Sequence, residues 1–212
     1  MNQKCVVFGA SGHAMSVIDA ILSMPDLEPC AILTSDASMW GSQILGIPIR
    51  GGDELVGQLV AEGATTFTVA FGAIGNPHLR MAVYNSAIRC GLSPANVIHS
   101  SASVSQYAEI GNGCQILRGA IVVAGAKLGN NVLVNTGAIV EHGCLLGDGC
   151  FLATGAMLSG DVVLENGVHI GTGASVRQGI RIGTNAIVGI GAAVVKNVDA
   201  GTTVVGVPAR PL

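Results

Sequence analysis

Every sixth residue from Ile98 to Val194 is aliphatic. The register runs Ile98, Val104, Ile110, Ile116, Val122, Leu128, Val134, Val140, Leu146, Leu152, Leu158, Leu164, Ile170, Val176, Ile182, Val188 and Val194 without an exception. Four residues after each member stands a small or aliphatic residue, from Ala102, Ala108 and Cys114 through Ala156 and Val162 to Ala192 and Val198. Both sets must face one interior. From Gly113 to Gly191 the position between them is always Gly, Asn or Asp, with Asn131, Asp161 and Asn185 alone carrying a side chain. Those residue types tolerate positive φ, so the chain turns there once per hexad. A six-residue period of this kind predicts a parallel β-helix, in which stacked coils bury a continuous narrow core. If three short sides close each coil, the column has between roughly five and six coils and stands about 27 Å tall at the usual strand spacing.

Residues 1–95 carry a different pattern. Cys5-Val-Val-Phe8 reads as a short apolar strand, Gly9-Ala-Ser-Gly-His13 as a tight turn, and Ala14 to Met24 has apolar residues at helical spacing. Ala31-Ile-Leu33 predicts a second strand ending at Ser35-Asp36. Thr66 to Phe71 predicts a third, followed by Gly72-Ala-Ile-Gly-Asn76 and a helix from about His78 to Cys90. Strands alternating with helices imply a small Rossmann-like α/β domain with a parallel sheet, so the predicted organisation is residues 1–95 and residues 96–212. A strand, glycine turn and helix aim backbone N–H groups at an anion. The glycine spacing is G-x-x-G, not the dinucleotide fingerprint, so the motif alone is weak evidence for NAD, and the plainer reading is a glycine pair needed for tight strand-helix packing.

Composition narrows the partners. The 212 residues include 31 glycines, 11% are charged and 3% aromatic, and the net charge of −3 comes without a basic cluster, which argues against nucleic acid. Mean hydropathy is +0.59, yet no apolar run reaches the ~18 residues of a membrane span, and the run near Lys4 is too short for a signal peptide. The expected location is the cytoplasm. Cys114, Cys144 and Cys150 fall on inward positions, where a thiol is a small apolar filler.

The opening VVFGASGHA, the central FGAIGNPHLR, the hexapeptide column, the EHGC turn and the closing VVKNV and VVGVPAR together resemble the bacterial sugar acetyltransferases. That family includes UDP-4-amino-sugar N-acetyltransferases of bacillosamine and related pathways, and sialic acid O-acetyltransferases. The resemblance spans essentially the whole chain. It implies a left-handed β-helix, a homotrimer with acetyl-CoA lying along the column between subunits, and an amino-terminal domain that binds a nucleotide sugar. Carried over residue by residue, it implies that Ser11, Gly12 and His13 contact the sugar nucleotide, that Ser35 and Asp36 lie near the nucleoside, and that Gly75 and Asn76 share that edge. On the column it implies acetyl-CoA contacts from Gly160, Thr172 and Ile190, mostly through main-chain amides.

His142 is the expected catalytic residue. It stands third in the hexad Val140-Glu-His-Gly-Cys-Leu145, between inward Val140 and Cys144, so its side chain should leave the column. An imidazole titrates near neutral pH and suits a base that takes a proton as an amine attacks a thioester. The resemblance also exposes two departures. An acid commonly follows the family histidine where this chain has Gly143, and Glu141 could substitute only from the opposite face of a strand. A second family histidine aligns with Phe151.

The expected activity is acetyl transfer from acetyl-CoA to the 4-amino group of a UDP-sugar. The alternatives are a non-catalytic or NAD-binding trimeric scaffold with a degenerate site, and O-acetylation of a sialic-acid-like sugar. A zinc enzyme on this column would need histidines that stack on an 18-residue coil. His142 lies one and a half turns from His169 and about 2.4 turns from His99, so no metal is expected.

Overall fold

A computed structural model describes residues 2–72 and 77–212, with Pro77 described by its backbone alone. The chain divides into two compact units, Met1–Ser100 and Ser101–Leu212. The division falls after the first residues of the repeat because the Ser100 N–H donates to Ser23 Oγ at 3.0 Å and His99 Nε2 lies 3.5 Å from Asp19 Oδ2.

The first unit is built on strand β1 (Gln3–Phe8), helix α1 (Gly12–Leu22), β2 (Leu27–Leu33), β3 (Gln43–Ile44), β4 (Ile47–Gly51), α2 (Val56–Ala61), β5 (Thr66–Val69), α3 (Pro77–Arg89) and β6 (Ser93–Pro94). The sheet order is β3-β4-β2-β1-β5-β6, parallel except for the β3–β4 hairpin. Central β1 buries Cys5, Val6, Val7 and Phe8 together, as expected of a parallel strand covered on both faces. Helix α1 buries Ala14, Val17, Ile18, Ala20 and Ile21. Phe67 anchors the core, edge-on to Phe8 at 5.9 Å and to Tyr84 of α3 at 5.5 Å.

Three local details depart from the sequence pattern. Strand β2 begins four residues before Ala31, because a register shift between Cys5 and Val6 accommodates Pro29, which has no N–H for the ladder. Strand β5 ends at Val69 because the buried Arg80 guanidinium claims the next carbonyls, its Nη1 donating to Val69 O at 2.6 Å and Phe71 O at 3.1 Å. Residues 37–65, for which the hydrophobic pattern predicts no element, hold the β3–β4 hairpin and α2. The hairpin turns on Leu45 and Gly46 at φ 50° and 82°.

The second unit is a left-handed parallel β-helix of two-residue strands. Its three faces repeat every 18 residues: Gln115, Leu133, Phe151, His169 and Ile187 align on one, Ser103, Ile121, Ile139, Met157, Ser175 and Ala193 on the second, and Glu109, Lys127, Leu145, Val163 and Arg181 on the third. From Cys114 onward both inward registers are buried as expected, Val140, Cys144, Leu152, Ala156, Ile170 and Ala174 fully so, whereas Ile98, Ala102, Val104, Ala108 and Ile110 at the start of the column are half-buried. All 14 turn positions from Gly113 to Gly191 have positive φ, Asn131, Asp161 and Asn185 included at 55°, 60° and 57°. One corner is further locked by stacked side chains: Asn130 Oδ1 accepts from Asn112 N, Asp148 Oδ1 from Asn130 N, and Asn166 Oδ1 from Asp148 N, at 2.7 to 3.0 Å. Another clamp is Glu165, whose carboxylate accepts from Thr184 N and Oγ1 and from Arg181 Nε, all within 2.9 Å. These bonds, those of Thr184 foremost, hold Glu165 below the usual carboxylate range.

Candidate functional site

Two places gather the chemistry, one in each unit. In the first unit a cleft of about 470 Å³ opens at the carboxyl ends of β1 and β2, lined by Gly9, Ser11, Ser35 and Asp36 and also by Thr34 and Asp53. Open parallel sheets place ligands at this edge. Gly9 is required there: its φ is 110°, and a Cβ would stand 2.8 Å from Phe71 Cδ1 and 3.2 Å from the Ala70 carbonyl. Ser11 precedes α1 as its N-cap residue without making a side-chain cap hydrogen bond, and it is exposed. Asp36 caps a 3₁₀ turn at Ala37–Met39. Its Oδ1 accepts from Ser38 Oγ at 2.6 Å and Ser38 N at 3.0 Å, which holds the exposed carboxyl below its usual range. The Thr34 carbonyl is tied to Trp40 Nε1 at 2.9 Å, which fixes the segment between strand and turn.

The structure therefore brings Ser11, Ser35 and Asp36 to one cleft. Gly12 and His13, the first residues of α1, lie beside it without lining it. Gly75 and Asn76 lie outside the described residues. Thr34 and Asp53 are cleft residues that the sequence reading passes over. Thr34 directly follows β2, and Asp53 follows the Gly51-Gly52 pair at the end of β4, so both carry the same strand-end signal as Asp36.

On the column His142 is exposed and points outward, as its hexad position predicts, while Cys144 is fully buried. The Cys144 thiol donates to Ser159 O at 3.2 Å and is pushed up in pKa by burial, so it is no nucleophile. The imidazole is seated on Gly160, one coil further along. A Cβ at Gly160 would lie 2.3 Å from His142 Cε1 and 2.6 Å from Nε2, so the ring occupies the space that only glycine leaves. Glu141 is engaged elsewhere, its Oε2 accepting from the His142 backbone N–H at 3.2 Å. The turn position Gly143 is also filled from the coil beyond: a Cβ there would meet Asp161 Oδ1.

Thr172 and Ile190 do not join Gly160. They stack on each other, with Gly191 N donating to Thr172 O at 2.9 Å, on the corner two sides further round the coil. Both are exposed, Ile190 by 81%. The main-chain N–H groups of Gly160, Thr172 and Ile190 donate to nothing among the described residues, a property that Thr154 and Gln178 share at the same hexad position.

Phe151, at the position of the second family histidine, stacks on His169 with ring centroids 4.8 Å apart. His169 Nδ1 is buried without a hydrogen-bond partner among the described residues, and desolvation lowers its pKa. The unfolded chain then takes the proton first as pH falls, so the native state keeps its full stability above about pH 6.5 and loses stability as pH drops below it. The melting temperature of His169→Phe should accordingly fall less than that of the wild type between pH 7.5 and 5.5; equal slopes would mean that the stack does not desolvate the ring. Among the described residues no group of three or more His, Cys, Asp or Glu side chains gathers as a metal site, and no helix is long and apolar enough to cross a membrane.

Comparison with known proteins gives this geometry a context. Residues 4–87 match the PglD N-terminal domain, and residues 125–160 match the bacterial transferase hexapeptide (six repeats). No curated protein matches the chain in sequence. Among solved structures, perosamine N-acetyltransferase from Caulobacter crescentus, in complex with CoA and GDP-perosamine and with one histidine replaced by asparagine, superposes with a TM-score of 0.92 at 31% identity over 99% of this chain and 96% of its own. The acetyltransferase domain of PglB from Neisseria gonorrhoeae, in complex with acetyl coenzyme A, does so at 0.91 and 35% identity over 100% of both chains. WeeI from Acinetobacter baumannii follows at 0.83 and 28% identity, again over 100% of both. With that coverage and identity, the chain belongs to the sugar acetyltransferases of the hexapeptide superfamily.

Proposed function

We propose that this acetyltransferase moves the acetyl group of acetyl-CoA to the amino group of a nucleotide-linked amino sugar, the 4-amino group of a UDP-sugar, with His142 as general base. One observation carries the reading: the imidazole of the EHGC turn is outward and seated on a glycine, and the nearby thiol is turned inside. The amine nitrogen attacks the thioester carbonyl, His142 takes the proton from that nitrogen, and the C–S bond breaks to release CoA as a thiolate that regains a proton. No acyl-enzyme is needed. Outward main-chain N–H groups supply donors for the developing oxyanion.

The acceptor belongs in the cleft beside Ser11, Ser35 and Asp36, and acetyl-CoA along the column. The separation of Gly160 from Thr172 and Ile190 on different corners of one chain suits a homotrimer, in which the His142 corner of one copy faces the Thr172 corner of its neighbour. The assignment predicts that the two substrates separate by mutation. In the Asp36→Ala, His13→Ala double variant, KM for the sugar nucleotide should rise about tenfold or more, the loss of one or two hydrogen bonds to charged groups. Acetyl-CoA binding, measured by calorimetry, should stay within twofold. Testing UDP-, GDP- and CMP-linked amino sugars in parallel identifies the base. Loss of acetyl-CoA binding with unchanged KM for the sugar would overturn the assignment.

A further inference from the structure

A histidine that takes a proton from a weak acid works best when a carboxylate holds its tautomer and steadies the imidazolium. The chain places Glu141 beside His142, but that carboxylate is spent on the His142 backbone N–H. Gly143 offers none. The carboxylate that does enter this corner comes from the next coil. Asp161 lies 18 residues beyond Gly143 and directly after Gly160, the residue on which the imidazole sits. Its Oδ1 stands 2.2 Å from where a Cβ of residue 143 would be. That is close to the ~2.4 Å at which the carboxylate oxygen of an aspartate at 143 would lie from its own Cβ, given standard bond lengths. The two coils are fixed against each other here, since Asp161 N donates to His142 O at 2.9 Å.

The acidic side chains at the neighbouring corners have structural work. Asp148 Oδ1 accepts from Asn130 N and Nδ2, and both Glu165 oxygens are bonded. Asp161 differs: Oδ2 accepts from Gln178 Nε2 at 3.3 Å, and Oδ1 accepts from no donor among the described residues. The side chain is exposed, so nothing in packing calls for a carboxylate there. Positive φ does not call for one either, since Asn131 and Asn185 fill equivalent turns.

We propose that Asp161 is the positioning carboxylate for His142, delivered from the adjacent coil to the space above Gly143. The proposal rests on His142 being the base. Asp161 and the imidazole are not hydrogen-bonded in this structure; the carboxylate acts as a neighbouring negative charge and comes onto the ring by rotation about its Cα–Cβ bond.

Asp161→Asn tests this with the least disturbance, because asparagine is the residue at the two equivalent turns. Its kcat should fall about 10- to 100-fold, the range for loss of a group that orients a catalytic ligand, while KM for both substrates stays within twofold and the melting temperature is kept. In a His142→Ala background the same change should have no further effect, as for groups acting as one unit. Gly143→Asp with Asp161→Gly moves the carboxylate one coil back into space that the second change vacates, and should recover most of the lost kcat. An Asp161→Asn enzyme within twofold of wild type, beside an inactive His142→Ala enzyme, would overturn the role of Asp161 and leave the base intact. An active His142→Ala enzyme would overturn both. An undiminished effect of Asp161→Asn without His142, or a folded swap variant as slow as Asp161→Asn, would show that Asp161 acts by another route.

Discussion

The His142→Ala enzyme is expected to turn over about 10²- to 10⁴-fold more slowly than the wild type and to melt at the same temperature. The imidazole is exposed and makes no core contact, so its removal costs catalysis and not fold. Retention of most of the activity would remove His142 from the mechanism. Gly160→Ala reads the same site from the other side. Its Cβ would stand 2.3 Å from His142 Cε1, and the flexible side chain, not the backbone, is what gives way. Because a displacement of about 1 Å at a reacting group can cost on the order of 100-fold in rate, this variant should lose much of the activity with its histidine still present.

A large loss of stability is expected from Gly171→Ala. A Cβ at Gly171 would meet the Gly189 carbonyl carbon and Val188 O at 2.7 Å and Ile190 N at 2.8 Å. All three are main-chain atoms of the next coil, held at strand spacing by the ladder that includes Gly171 N to Val188 O at 2.8 Å. No rotamer relieves such a contact; the coils must part. Overpacking typically costs roughly 1–3 kcal/mol, and a clash with main-chain atoms on every side belongs at the upper end, about 3 kcal/mol. For a chain of this length that lowers the melting temperature by roughly 6 to 12 °C. Gly173→Ala is the matched control. Its φ is 65°, but nothing lies within 4 Å of its Cβ position, so it pays only the left-handed backbone cost of about 1–2 kcal/mol. Equal melting temperatures for the two variants would show that the coils are not close-packed at Gly171.

The column was legible because each hexad position has one environment. A residue at Val140 or Cys144 cannot face solvent without turning its coil inside out, and a residue at Asn131 must accept positive φ, so identity alone assigns the face. Handedness is not written in a spacing and came only from the resemblance. In the first unit the buried run Cys5–Phe8 announced a strand, whereas Pro29 hid the first half of β2 and the short β3–β4 hairpin carries too few apolar positions to show a period. The site divides the same way. His142 and Asp36 follow from local position, one outward on a turn and the other at a strand end. The seat of His142 on Gly160 and the carboxylate of Asp161 above Gly143 depend on side chains that are absent or bent across 18 residues, and only coordinates reveal them. What reads in the sequence as a missing acid at 143 is, in space, an occupied position.

That the His142 corner draws on two consecutive coils has a consequence for its durability. A stack in which each repeat touches only its neighbours opens from its ends, and local opening becomes costlier toward the middle. Residues 140–161 have about two coils or more of the column on either side, so their geometry is insulated from fraying at Ser101 or Leu212. Amide exchange should mark this: the ladder amides of Leu145 and Met157 should exchange near the global unfolding limit, and those of Ser103 and Leu212 well before it.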